Sequence, residues 1–109
     1  MQEICDLNDL NELSAKEFVV KNAGLEKNAF LVHYKQGCYA YENTCPHTGA
    51  TLNWQEEQFF SYDGRFLQCS LHGALFEPTN GLCVRGPCCG ESLKPINITV
   101  QNGTVCLRD

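Results

Sequence analysis

The chain has 109 residues, 43% of them apolar, and a net charge of −5. That length suits one domain with a modest core, and the negative balance argues against a nucleic-acid binder, which needs a basic face. No apolar run approaches the roughly 18–20 residues of a membrane span, and residues 1–12 carry acids rather than an apolar leader, so no signal peptide is expected and the expected location is cytoplasmic.

The pattern along the chain is mostly β. Gln2 to Leu7 reads as a short strand, and Asn8 to Lys16 is polar, with Ser14 as a candidate cap for a single turn. Phe18-Val19-Val20 is aromatic and β-branched and opens a strand. Gly24 marks a turn, and Ala29 to Lys35 forms a second, strongly apolar strand. Gln36-Gly37 turns the chain back into Cys38 to Glu42, an antiparallel partner that leads directly to Cys45. His33 lies inside the second strand, with no cysteine at ligand spacing, and reads as a surface or half-buried strand histidine.

Further on, Phe59 to Tyr62 and Arg65 to Gln68 flank Asp63-Gly64, a tight hairpin turn. Ala74 to Glu77 and Leu82 to Arg85 flank Thr79-Asn80-Gly81. Residues 86–90 have no strand pattern. Ile96 to Val100 alternates as a half-buried strand does, Asn102-Gly103 turns it, and Thr104 to Leu107 pairs back. No helix longer than a turn or two is expected, and the turn spacing is that of an all-β domain.

Eight cysteines punctuate this frame. Without a secretory leader they read as metal ligands or buried small side chains rather than a disulfide framework. Two short loops stand out, Cys45-Pro46-His47 and Cys69-Ser70-Leu71-His72, separated by residues 48–68, the span of a β-hairpin. Each offers one thiolate and one imidazole, and each has a glycine close behind the histidine, at Gly49 and Gly73. Two Cys and two His in matched pairs suit a mixed-ligand [2Fe–2S] centre with the Cys on one iron and the His on the other. The glycines would let backbone amides approach inorganic sulfide. Two other readings use the same residues. A structural zinc ion takes Cys₂His₂, although its usual spacing puts like ligands near one another. A Cys–His nucleophile pair needs only one loop and leaves the second without a purpose.

Cys45-Pro46-His47-Thr48-Gly49-Ala50 followed by Cys69-Ser70-Leu71-His72-Gly73-Ala74-Leu75-Phe76 resembles the two cluster-binding loops of soluble Rieske ferredoxins. Gly81 and Gly86-Pro87 resemble the stretch that closes over the cluster as a third loop. The likeness extends over nearly the whole chain. It implies an all-β Rieske fold with three antiparallel sheets over residues 1–109. A small cluster-binding subdomain, about 43–90, would be inserted into a base made of both chain ends. Carried over position by position, Cys45 and Cys69 would ligate the inner iron and His47 and His72 the outer iron of one [2Fe–2S] cluster per chain.

The resemblance also implies a task. The chain would be a monomeric single-electron carrier, a ferredoxin and not an enzyme. It would pass electrons from a flavoprotein reductase to an oxygenase-type acceptor, with no nucleic-acid or membrane partner. The alternatives are a small redox subunit of a reductase complex such as nitrite reductase, and a structural zinc-binding interaction module. High-potential relatives have a disulfide between the ligand loops, where this chain has Ala50 and Leu71. They also have Ser and Tyr hydroxyls on the cluster sulfurs, where it has Ala74 and Phe76. Fewer donors to sulfur imply a potential near the lower end of the Rieske range of about −150 to +300 mV. Cys88 and Cys89 fall in the expected third loop. Cys5, Cys38, Cys83 and Cys106 fall in strand-like segments and read as core filler, and Trp54 as a packing residue of the cluster-binding part.

Overall fold

The computed structural model describes residues 2–11, 13–22, 24–35, 37–44, 59–61, 63–69, 73–86 and 90–108. Among them are nine strands: β1 (Gln2–Asp6), β2 (Ala15–Asn22), β3 (Leu25–Tyr34), β4 (Gly37–Glu42), β5 (Leu67–Gln68), β6 (Leu75–Phe76), β7 (Cys83–Arg85), β8 (Ile98–Gln101) and β9 (Thr104–Leu107). They form three antiparallel sheets of three strands, ordered β1-β9-β8, β2-β3-β4 and β5-β6-β7. The one helical element among the described residues is a 3₁₀ turn, Leu7–Asp9. The expected all-β architecture is what forms.

The β2-β3-β4 sheet is the middle layer, and β3 shows why. Ala29, Phe30, Leu31 and Val32 are all buried in succession. A strand covered on one face alternates between buried and exposed, whereas one covered on both faces reads as a continuous apolar run. Phe30 and Val32 point into one core with Tyr41, Phe59, Leu67, Phe76, Cys83 and Leu93. Leu31 points the other way, into a second core with Ala40 and Val105, flanked by Ile4, Phe18 and Ile98. The first core joins the middle sheet to β5-β6-β7, and the second joins it to the sheet of the two chain ends. Phe30 and Phe59 stack at 4.1 Å between ring centroids, which docks the stem of the third sheet on the middle one.

Registers follow from the turns. β2 pairs with β3 from Ala15↔Val32 to Asn22↔Leu25, and β3 pairs with β4 from Ala29↔Glu42 to Tyr34↔Gly37. Asn102 and Gly103 have φ of 52° and 79°, the left-handed pair that a two-residue hairpin between twisted strands requires, and they join β8 to β9. β1 pairs with β9, so the two ends of the chain close one sheet.

Two local expectations differ from what forms. Ser14 does not cap the short turn. Asp6 does, accepting from the Asn8 amide at 2.9 Å, and Ser14 Oγ instead accepts from the Asn11 amide. Asp6 sits directly at the end of β1, where the first orphan amides appear, while Ser14 comes only one residue before β2 begins. Asp63-Gly64 does turn the chain, but inside a wider loop closed from Ser61 N to Phe66 O at 2.7 Å. Leu67 then bridges Phe60, and β5 is only Leu67–Gln68.

Candidate metal centre

Of the four expected ligands, Cys69 is among the described residues. Cys45, His47 and His72 lie outside them, as do Ala50, Trp54, Leu71, Pro87, Cys88 and Cys89. The stems of both ligand loops are described, and they show how the fold presents each loop.

The first stem is the end of β4. Asn43 is buried, and its amide donates to Asn28 O at 2.9 Å, so the chain remains stitched to β3 one residue past the strand. Thr44 N then donates to Glu42 O at 2.9 Å. From the other edge of β4, Lys94 O accepts from Glu42 N at 2.9 Å and Ala40 O accepts from Ile96 N at 2.9 Å. Thus β4 is held on both sides where it releases the chain toward Cys45.

The second stem is the β5–β6 hairpin. Cys69 is 1% exposed and its amide donates to Ala74 O at 2.9 Å, while Gly73 N donates to Cys69 O at 3.0 Å. The two ends of the 69–73 loop are thereby tied together, and the thiol-bearing residue sits in the core layer rather than on the surface. Gly86 packs against this loop. A Cβ there would lie 2.8 Å from Ala74 Cα, and its φ is +107°. Only glycine lets the backbone after β7 come this close to the second ligand loop.

Tyr41 ties the layers together. Its hydroxyl donates to Pro78 O at 2.6 Å across the first core, and burial pushes its phenol well above the ordinary tyrosine range. A Cβ at Gly81 would fall 2.9 Å from the Tyr41 ring, so the 78–81 turn is fitted around that side chain. Nothing in the sequence separates Tyr41 from Tyr39, which lies on the same face of β4. Both face the first core, but Tyr41 is the buried one, and its partner carbonyl is 37 positions away.

Beside the second loop a cleft of about 460 Å³ is lined by Ser61, Asp63, Phe66, Gln68, Gly73, Leu75 and Arg85. Asp63 Oδ1 accepts from Ser61 Oγ at 2.7 Å and from Arg65 N at 3.2 Å, and these bonds hold its carboxyl below the usual carboxylate range. His33 lies near the β3–β4 turn, opposite Cys38 in register and at the far end of β4 from Cys45. It is half-buried, as a strand histidine outside the centre should be. Cys83 and Cys106 are buried, in line with a packing role, whereas Cys5 and Cys38 are only half-buried.

Among the described residues, no three His, Cys, Asp or Glu side chains converge as a metal site. Two thiolates and two imidazoles suit a mixed-ligand iron–sulfur cluster, and a buried Cys69 in a closed turn suits the ligand of an inner iron.

Residues 2–102 match the model of the Rieske [2Fe-2S] domain. The chain belongs to the Rieske [2Fe–2S] domain family. The family's cofactor is one [2Fe–2S] cluster, and that cluster is the group this Rieske chain is built to carry.

Solved structures agree on the fold. The chain is similar to the ferredoxin of carbazole 1,9a-dioxygenase from Nocardioides aromaticivorans IC177, with a TM-score of 0.71 and 19% identity, covering 96% of this chain and 93% of that one. It is similar to the Sphingomonas yanoikuyae B1 ferredoxin, with a TM-score of 0.70 and 19% identity, covering 98% and 96%. It is also similar to a putative nitrite reductase NADPH small subunit, with a TM-score of 0.67 and 21% identity, covering 98% and 96%. No curated protein matches the chain in sequence. At these identities the likeness establishes the Rieske fold and leaves the partners open. No helix of the described residues is long and apolar enough to cross a membrane.

Proposed function

We propose that this Rieske protein is a one-electron carrier in which Cys45 and Cys69 hold the inner iron and His47 and His72 the outer iron. The observation that carries this reading is the family match over residues 2–102 around a complete set of two Cys and two His. The bound cluster supplies a reversible one-electron couple. The chain's own residues set its surroundings. Cys69 would anchor it in the core layer, and hydrogen bonds among Cys69, Gly73 and Ala74, with Gly86 packed on Ala74, hold the ends of the segment that bears His72 in the sequence. In this reading residues 43–90 form the cluster-binding part of a single domain, and the protein works as a monomer without catalysing a reaction itself.

The donor would be a flavoprotein reductase and the acceptor an oxygenase. Support comes from the likeness to ferredoxins of dioxygenase systems, one of them solved in complex with its oxygenase. The likeness to a putative nitrite reductase small subunit favours a second reading, a redox subunit of a reductase complex. Reduction of the purified protein by an oxygenase-system reductase, followed by transfer to its oxygenase, supports the first reading. Stable co-purification with a larger reductase chain supports the second.

The deciding experiment is electron paramagnetic resonance on the dithionite-reduced protein, with iron and zinc analysis. A rhombic signal at the low average g value of mixed-ligand clusters, with two irons per chain, is expected. Zinc without that signal would overturn the proposal in favour of a structural module. At the sites where high-potential relatives carry hydroxyls, Ala74 and Phe76 are buried and bring none. A midpoint near the lower end of about −150 to +300 mV is therefore expected, and one above about +100 mV would refute this account.

A further inference from the structure

Two cysteines outside the metal centre pack against one core between the sheet of the chain ends and the middle sheet. Cys5 lies on β1, paired in register with Val105 of β9. Cys38 lies on β4, two residues before Ala40 and on the same face of that strand. Ala40 and Val105 belong to one buried cluster with Leu31, and both Cys5 and Cys38 pack against it. One thiol thus comes from each of two facing layers, both are half-buried, and neither is in a disulfide.

We propose that Cys5 and Cys38 form a reversible intramolecular disulfide, closed by exchange with a low-molecular-weight disulfide, which ties the N-terminal strand to the strand leading into the first ligand loop. Cys38 is taken to react first, because it lines a groove of about 270 Å³ together with Asn80, Asn97 and Arg108. The Cys38 thiolate attacks one sulfur of the external disulfide. That S–S bond breaks, and one small thiolate leaves with the electron pair and takes up a proton. The Cys5 thiolate then attacks the Cys38 sulfur of the mixed disulfide and releases the second small thiol. Two protein thiols are oxidised by two electrons, and the external disulfide is reduced to two thiols.

The electrostatics agree with thiols that face one another and exchange slowly. Burial pushes the Cys5 thiol up, and the neighbouring Cys38 pushes it further. Lys16 opposes this, while Asp9 and Asp6 add to it. Burial also raises Cys38, which has His33 opposite it in register and Arg108 on its groove. With little thiolate at neutral pH the pair stays reduced until the external disulfide is abundant, and closure speeds up in mildly alkaline solution. Cys106 is a built-in control. It sits next to Val105 but is more deeply buried, and it pairs with Glu3 and Thr99.

The test uses the cluster-bearing protein, incubated without oxygen with oxidised glutathione, then alkylated, digested and sequenced by mass spectrometry. A linked Cys5–Cys38 peptide pair, two hydrogens lighter than the reduced peptides, is expected, with the visible absorbance of the cluster retained. The link should disappear in Cys5→Ser and Cys38→Ser and persist in Cys106→Ser. If Cys38→Ser fails to fold, Cys5→Ser on the terminal strand gives the same reading. Glutathione left on either thiol with no linked pair would overturn the proposal, and so would a link through any other cysteine.

Discussion

Tyr41 and Cys69 stand on opposite sides of one core and make different demands on it. The Tyr41 hydroxyl donates to a buried carbonyl, so Tyr41→Phe strands Pro78 O without a donor. A loss of about 1–3 kcal/mol is expected in urea unfolding, the cost of leaving a buried polar group unsatisfied, with the cluster still bound. Cys69→Ser should behave the other way. Oxygen replaces sulfur in the second ligand loop, so iron content and visible absorbance should fall. In Cys83→Ala, a buried cysteine of the same core, the iron should remain. Equal iron loss in both variants would show that core packing rather than ligation holds the group. The proposed ligands stand out in the sequence because chemistry confines such residues, with a thiol and an imidazole at short spacing repeated in two segments. Tyr41 was not legible, because its role depends on a carbonyl in the turn between β6 and β7, remote in the chain.

The strand β3 carries both cores, and its two faces can be tested separately. Phe30→Ala removes the ring stacked on Phe59 and opens a cavity toward the third sheet, at about 3–5 kcal/mol. Leu31→Ala opens one toward the terminal sheet, at about 2–5 kcal/mol. Both should lower the unfolding midpoint, but Phe30→Ala should also weaken cluster retention, because only that face abuts the sheet carrying Cys69. Gly86→Ala tests the loop after β7. The new methyl would meet Ala74 Cα, and overpacking of this kind costs about 1–3 kcal/mol. At Gly90, where nothing lies within 4 Å of the added methyl, alanine should cost less.

The Asp63 loop has a pH signature. Its carboxyl is lowered by the Ser61 hydroxyl and the Arg65 amide, so its contribution is complete above the ordinary carboxylate range. That contribution is lost as pH falls through the lower, folded value. The Arg65 amide resonance should therefore shift with a midpoint below that of a free aspartate.

Among the described residues, three thin sheets share two small cores, and the middle sheet belongs to both. The first chain end is held by β1 on β9, and the second by β9 between β1 and β8, so the ends brace each other. Three β5-β6-β7 strands of two or three residues carry the second ligand loop. Such short strands are marginal alone. Their order comes from Phe59, Phe76 and Leu93 packed on Phe30 and Tyr41. A bound cluster adds stability by favouring the folded state alone. Removal of iron by a chelator at low pH should therefore loosen β5-β6-β7 before the terminal sheet. Amide exchange should show this as early loss of protection at Cys69 and Cys83 while Val105 stays protected.

The all-β character, most turns and the matched Cys–His loops could be read directly from residue order. Each depends on neighbours a few positions apart: alternation along a strand, Asn-Gly in a two-residue turn, a thiol beside an imidazole. The Ser14 cap differs because Asp6 takes the Asn8 amide while Ser14 takes the Asn11 amide, and the Asp63-Gly64 turn is wider because Ser61 and Phe66 close it. The layer that each face of β3 meets could not be read, since an unbroken apolar run has no alternation to assign. The approach of Gly86 to Ala74 was equally hidden, as was the shared core on which Cys5 and Cys38 pack. Those pairings join residues remote in the chain, and only the packing of three sheets against one another brings them together.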